Sequence, residues 1–255
     1  MSPSGTNLFV EYHLGAYPLI VTCPHNGTQQ PTGAPERPDS QPGCLVTKQA
    51  DLFTRAIALG VFEKLEEIVG VEPSSVTARF HRKYVDANRP PKCAFKAAVA
   101  RPFYREYHRR IRQGIAKITE DFPQRGLLVD IHGAADLTDQ PGIHVFLGSD
   151  GGGSISRLLA LDAKILWRRR GLVRTLEDAG FGVIPANADD PEHPNFDGGF
   201  TVRRHGAANP AGLDALQIEI VRSVRQDAGQ RTALVQALAE GLIRLLARQK
   251  KLVES

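Results

Sequence analysis

The spacing of apolar and polar residues separates short buried strands from amphipathic helices along most of the chain. Tyr17-Pro18-Leu19-Ile20-Val21-Thr22-Cys23 is a β-branched apolar run that stops at Pro24, which predicts a buried strand feeding a loop. Gln29 to Gly43 is rich in Pro, Gly, Asp and Ser and reads as a long surface loop, a feature that in compact domains is often functional. From Thr47 onward Leu52, Ala56, Leu59 and Phe62 recur at helical spacing and predict a helix with one buried face. A strand is expected within Val76 to Val85, closed by Arg89-Pro90-Pro91. A helix is expected over Tyr104 to Ile118, with Tyr104, Tyr107, His108, Ile111 and Ile115 on one side.

Gly126 to Ile131 is the clearest buried strand, with Ile143 to Leu147 as its expected neighbour. Ser156 to Ala179 reads as a helix interrupted near Gly171, followed by a strand over Phe181 to Ile184. Ala215 to Ile220 is another strand, and Leu234, Leu238, Leu242 and Leu246 mark an amphipathic C-terminal helix that covers the sheet. Strands alternating with helices predict an α/β fold with a mixed, mostly parallel central sheet flanked by helices. Ligands of such sheets bind beyond the carboxyl ends of the strands, so chemistry is sought there.

Composition narrows the reading. With 255 residues, 42% hydrophobic and 24% charged, the chain suits one domain spanning residues 1–255. The net charge of +4 is mild and dispersed; the one cluster, Arg168 to Arg170, has no interleaved aromatics and reads as a solvated helix face. No nucleic acid partner is expected, and an anionic small molecule suits the charge balance. Cys23, Cys44 and Cys93 show no paired spacing, so a disulfide is not expected. The polar stretch Met1 to Asn7 resembles no secretory signal, and no apolar run approaches the ~20 residues that span a bilayer. A cytoplasmic protein without a membrane partner is the expectation.

Four polar clusters sit at or just past predicted strands: Cys23-Pro24-His25-Asn26-Gly27, Asp86-Ala87-Asn88-Arg89, Asp130-Ile131-His132-Gly133 and Gln217-Ile218-Glu219-Ile220. A catalytic zinc takes three protein ligands and leaves a position for water or substrate. His25 and His132, each at a strand end and followed by a glycine, are candidates for two of them; the competing role for each is a hydrogen-bonded core histidine. Cys23 beside this loop suggests a thiol nucleophile, but a cysteine ending an apolar strand is more commonly a small buried hydrophobe.

In their order and number these clusters resemble the N-formylglutamate amidohydrolase family. The resemblance runs from about Leu19 to Ile220 through the Pro-His-x-Gly loop, Arg82 to Arg89, Tyr104 to His108, Asp197 to Thr201 and Leu216 to Ile220. It implies a fold related to zinc carboxypeptidases and hydrolysis of the amide of an N-acyl acidic amino acid. One zinc ion is implied. Zinc carboxypeptidases carry a Glu three residues after the first His, where this chain has Thr28. Asp51, at the start of a predicted helix, is taken as the third ligand; an acid there also offsets a helix dipole without any metal. Asp130 is the alternative, either as a ligand or as a partner that orients a ligating histidine.

Glu219, between Ile218 and Ile220, must face a cavity or be paired, and is taken as the general base that removes a proton from water; Gln217 shares its face and is assigned to substrate. Arg89 suits a substrate carboxylate, with Asn88 beside it as a second contact. Arg82 is assigned to the scissile carbonyl or a second carboxylate, with an Arg82–Asp86 brace as the competing role. His108 is expected to reach substrate or to pack in its helix. Gly198-Gly199 is read as a tight turn with no helix following. Two other functions fit the same residues: a broader zinc deacylase or peptidase, and a metal-independent binding protein for acidic metabolites.

Overall fold

The computed structural model describes residues 4–7 and 9–255. The reading of Met1, Ser2 and Pro3 as part of a polar N-terminus lies outside them. Eight strands, β1 (Ser4–Asn7), β2 (Val10–His13), β3 (Leu19–Cys23), β4 (Ser74–Ala78), β5 (Leu127–Gly133), β6 (Ile143–Gly148), β7 (Gly182–Ile184) and β8 (Asp214–Ile220), form one sheet in the order β1-β2-β4-β3-β5-β8-β6-β7. The middle strands β4, β3, β5 and β8 run parallel; β2 joins β4 and β6 joins β8 antiparallel. The fold is therefore the expected mixed α/β sheet flanked by helices.

The helices are α1 (Thr54–Val69), α2 (Pro91–Ala94), α3 (Arg101–Asp121), α4 (Ser156–Leu161), α5 (Leu172–Asp178), α6 (Phe200–His205), α7 (Arg222–Gln226) and α8 (Ala228–Val253). Strand alternation divides the core. Val21, Val129, Ile131, Leu216 and Ile218 pack on the side of α1, α5 and α8, where Leu234, Leu238 and Leu242 meet them. Ile20, Val76, Leu128 and Ala215 pack against Tyr107, Ile111 and Ile118 of α3 on the other side. On that second face the pattern changes along the strand: Leu128 and Ala215 give way to Asp130 and His132 on β5 and to Gln217 and Glu219 on β8. Register pairs Asp130 with Gln217 and His132 with Glu219, so four polar side chains share one face at the carboxyl ends of adjacent strands.

Several local expectations are corrected. Helix α1 starts at Thr54, after Phe53 adopts φ 68°, and buries Ile57, Ala58, Val61 and Leu65; Leu52 stays 50% exposed. The buried stripe is thus Ile57, Ala58, Val61 and Leu65, while Ala56 is exposed and Phe62 half-buried. The strand expected within Val76 to Val85 is present but spans Ser74–Ala78. Arg168 to Arg170 lie in a turn between α4 and α5, where Arg168 pairs with Asp162 at 2.8 Å. A helix does follow Gly198-Gly199, opening at Phe200.

The largest correction is the Cys44–Cys93 disulfide, with Cα atoms 5.6 Å apart across 49 residues of sequence. It ties the long loop to α2, a proximity that cysteine spacing does not reveal. The same loop is anchored by Arg37, buried at 2% exposure, which donates to the carbonyls of Cys93, Thr47 and Arg82 and to Asp86. Cys23 is a buried free thiol beside Thr54, and burial pushes its pKa up to about 12, which suits a small buried hydrophobe rather than a thiolate. Among the described residues no helix is long and apolar enough to cross a membrane.

Candidate active site

His25 lies two residues beyond β3, on a loop held to Asp51 by the Asp51 N–H donating to the His25 carbonyl at 3.1 Å. His132 is the penultimate residue of β5. These elements bring three ligand-type atoms together: His25 Nδ1 is 3.1 Å from His132 Nδ1 and 3.1 Å from Asp51 Oδ2, and the third side, His132 Nδ1 to Asp51 Oδ2, is 3.7 Å. All three residues are buried.

Both imidazoles are gripped from behind. Asp86 Oδ1 takes His25 Nε2–H at 2.8 Å, and Asp130 Oδ2 takes His132 Nε2–H at 2.7 Å. Those bonds assign the outer nitrogens as donors and leave the two Nδ1 lone pairs facing one another and a carboxylate. Two such lone pairs repel unless a metal ion, or a proton shared between the Nδ1 atoms or with Asp51, sits among them. Tetrahedral zinc bonds of ~2.0–2.1 Å place neighbouring ligand atoms ~3.3–3.4 Å apart, and the observed triangle straddles that value. Two imidazoles, one carboxylate and outer carboxylates behind both imidazoles make a donor set that fits zinc.

Without an ion, the surrounding carboxylates hold a proton on His132 instead. Burial alone would lower the His132 pKa, but the Asp130 charge and hydrogen bond, with Asp51 and Glu219 beyond, raise it to about 10. Burial would raise the Asp51 carboxyl, yet His25, His132 and Arg82 hold it well below its ordinary range. So many carboxylates converge here that the centre calls for positive charge. Arg82 supplies part of it: Nε and Nη2 bond Asp86 Oδ2 at 3.3 and 2.8 Å, and Nη1 bonds Asp51 Oδ1 at 3.2 Å. With every guanidinium nitrogen on a carboxylate, Arg82 braces the Asp51 and Asp86 side chains, the competing role expected of it, while it also lines the cavity.

Glu219 and Gln217 face the same cavity of about 780 Å³, as do His25, Asp51, Arg82, Asn88, Arg89 and His132. Gln217 Nε2 donates to Glu219 Oε1 at 3.1 Å, the amide orientation that suits an ionised Glu219, and Gln217 Oε1 is buried without a partner among the described residues. Burial and the Asp51 charge push the Glu219 carboxyl up to about 7 against the opposing pull of His132. Asn88 Oδ1 accepts the Thr201 N–H at 2.8 Å, which turns Nδ2 toward the cavity, 3.4 Å from His132 Nε2. Gly199 permits this packing: a Cβ there would lie 2.2 Å from Asn88 Nδ2 and 2.5 Å from Gln217 Oε1.

Arg89 is half-buried, with Nε on the Leu45 carbonyl at 3.0 Å and Nη1 on its neighbour Asn88's carbonyl at 2.8 Å. Its fork is therefore partly occupied, but its charge has no carboxylate within ion-pair distance among the described residues. Arg222, exposed at the cavity wall, is a second such cation that sequence reasoning missed.

His108 takes the second of the two roles expected of it, a histidine packed in its helix. It is 1% exposed and absent from the cavity wall; Nε2–H donates to the Ala87 carbonyl at 3.1 Å and Nδ1 accepts from His205 Nε2–H at 2.9 Å. Burial and the nearby His205 and Arg204 keep it neutral, with its pKa well below the ordinary value. Its helix places it behind the 86–88 segment, whose backbone it braces.

The architecture is shared with solved structures. The gene product Atu2144 from Agrobacterium tumefaciens matches with a TM-score of 0.62 at 17% identity, over 97% of this chain and 96% of that one. N-formylglutamate amidohydrolase from Ralstonia eutropha JMP134 matches with a TM-score of 0.61 at 16% identity, over 96% of this chain and 98% of that one. The chain has the fold of these two proteins. No protein-family model and no curated protein matches the sequence. At such low identity the shared fold alone follows, and the chemistry must be argued from the residues present.

Proposed function

We propose that residues 1–255 form one zinc-dependent amidohydrolase domain that cleaves the amide of an N-acyl acidic amino acid such as N-formylglutamate. The observation that carries this reading is the triangle of His25 Nδ1, His132 Nδ1 and Asp51 Oδ2, with a buried aspartate behind each imidazole. Those three side chains would hold the ion, which when bound polarises a carbonyl and lowers the pKa of water.

The remaining work falls to this chain's own groups. Glu219 accepts a proton from the attacking water and returns it to the departing nitrogen. Gln217 holds the Glu219 carboxylate through Nε2 and offers its unpartnered Oε1 to the N–H of the substrate amide. Asn88 Nδ2 donates to the substrate. Arg89 and Arg222 supply positive charge to its carboxylates, which makes a small anionic ligand the expected partner rather than a nucleic acid. Hydrolysis of N-formyl-L-glutamate, N-acetyl-L-glutamate and the corresponding carboxamides by zinc-loaded protein tests the assignment. The acidic substrates should exceed the carboxamides at least about tenfold in kcat/KM. Equal rates would remove the charge-recognition argument.

A further inference from the structure

Three chain segments must be kept in mutual register for the site above to exist: the one ending in Asp51, the end of β5 with His132, and the end of β8 with Glu219. One side chain bonds all three. Arg225 of α7 is 4% exposed; its Nε donates to the Ile220 carbonyl at 2.9 Å, its Nη2 to the Ala134 carbonyl at 2.9 Å, and its Nη1 to the Leu52 carbonyl. Leu52 follows Asp51, Ile220 follows Glu219, and Ala134 is two residues past His132.

The intervening Gly133 closes the arrangement. Its N–H donates to Asp51 Oδ2 at 3.2 Å, and a Cβ on it would lie 2.6 Å from Arg225 Cζ and 2.7 Å from Nε. The guanidinium thus lies flat against the glycine whose amide orients the carboxylate ligand. None of its partners is a carboxylate, so the cation is retained for its geometry: a planar fork that reaches three carbonyls from different segments, which an ammonium cannot match.

We propose that Arg225 is a positioning residue that sets Asp51, His132 and Glu219 in their working register. The proposal rests on the metal reading above. It is tested by zinc dissociation constants, from chelator competition, with kcat and KM alongside, for the parent protein, Arg225→Ala, Arg225→Lys, Gly133→Ala and the Arg225→Ala/Gly133→Ala double variant. Arg225→Ala should raise the zinc dissociation constant about tenfold or more and lower kcat more than it raises KM, while the protein still unfolds cooperatively. Arg225→Lys should recover only part of the loss.

Gly133→Ala leaves Arg225 in place but drives a methyl into its guanidinium, so it should reproduce the zinc defect; in the Arg225→Ala background the same methyl should add little. If Arg225→Ala does not fold, Arg225→Lys and Gly133→Ala carry the same comparison. Zinc affinity and kcat within twofold of the parent in the folded variants, with only thermal stability lowered, would overturn the proposal. A parent protein that binds no zinc would instead defeat the metal reading, and this proposal with it.

Discussion

Asp130→Asn isolates the effect of charge behind a metal ligand. Asp130 is fully buried in β5, with Oδ2 on His132 Nε2 at 2.7 Å and Oδ1 accepting from the Thr22 hydroxyl at 2.5 Å. Asparagine has nearly the same shape. Its carbonyl still accepts from His132 Nε2–H, and its NH₂ can donate to Thr22 Oγ1, whose own proton then goes to the Val129 carbonyl at 3.2 Å. With His132 neutral on a metal, a charged hydrogen bond becomes a neutral one and folding should lose about 1 kcal/mol; the metal-free protein, in which Asp130 also holds the His132 proton, should lose about 3–5 kcal/mol. The full negative charge that makes His132 Nδ1 a stronger donor is gone. Loss of such an outer partner costs about 10–100-fold in metal affinity, or about 1.4–2.7 kcal/mol. Chelator competition should therefore show a zinc dissociation constant raised by that factor, while urea unfolding stays cooperative. A folded variant with zinc affinity within twofold of the parent would refute the role given to the Asp130–His132 pair.

Three further outcomes follow from the same structure. Glu219→Gln should retain zinc and lower kcat at least about 100-fold, because the amide cannot take the proton; lost zinc would make Glu219 a ligand, and near-normal turnover would leave it structural. Arg89→Lys keeps the charge but forfeits the bond from Nε to the Leu45 carbonyl, so KM for acidic substrates should rise about tenfold with kcat little changed; an unchanged KM would place the carboxylate elsewhere. Asp214, 2% exposed with Oδ1 on the Leu158 N–H at 3.1 Å, has its carboxyl pushed by burial from the ordinary 3.8 up to about 6. Its folded pKa exceeds the unfolded one, so its ionisation costs stability that is absent below about pH 4, grows as pH rises to about 6 and is complete above it. Asp214→Asn keeps the acceptor and should stabilise the protein by roughly 2–3 kcal/mol in urea unfolding at pH 8 but not at pH 4; an equal change at both pH values would contradict this.

What was legible in the sequence was whatever strand alternation and helical periodicity encode. The strands carrying His132 and Glu219 are continuous apolar runs broken by polar residues on one face, so both the strands and the unusual residues stood out. The α3 and α8 stripes were equally plain. The start of α1 was not, because the chain turns at Phe53, and Leu52, counted as core, belongs to the loop before the helix. His108 lay on a correctly placed buried face, but periodicity does not say that both its ring nitrogens are taken by Ala87 and His205. Arg82 shows the same limit: a brace and a substrate contact look alike until the positions of Asp51 and Asp86 are known. Arg37 sits in a Pro-rich loop whose composition predicts solvent exposure, and the Cys44–Cys93 pairing depends on that loop folding back on α2. The one available hint of Arg225 was a second arginine three residues after Arg222, directly past the Glu219 strand, a spacing that also suits an ordinary exposed helix.

The central claim is that His25, Asp51 and His132 hold a zinc ion that hydrolysis requires. Its most direct test is the metal content of the purified protein, together with N-formyl-L-glutamate hydrolysis before chelation, after chelation and after zinc is restored, for the parent and for His25→Ala and His132→Ala. The account predicts one zinc per parent chain, activity that is lost with the metal and regained with it, and folded histidine variants that neither retain zinc nor turn over substrate. Stoichiometric zinc in both variants, or full parental activity after complete chelation, would contradict it.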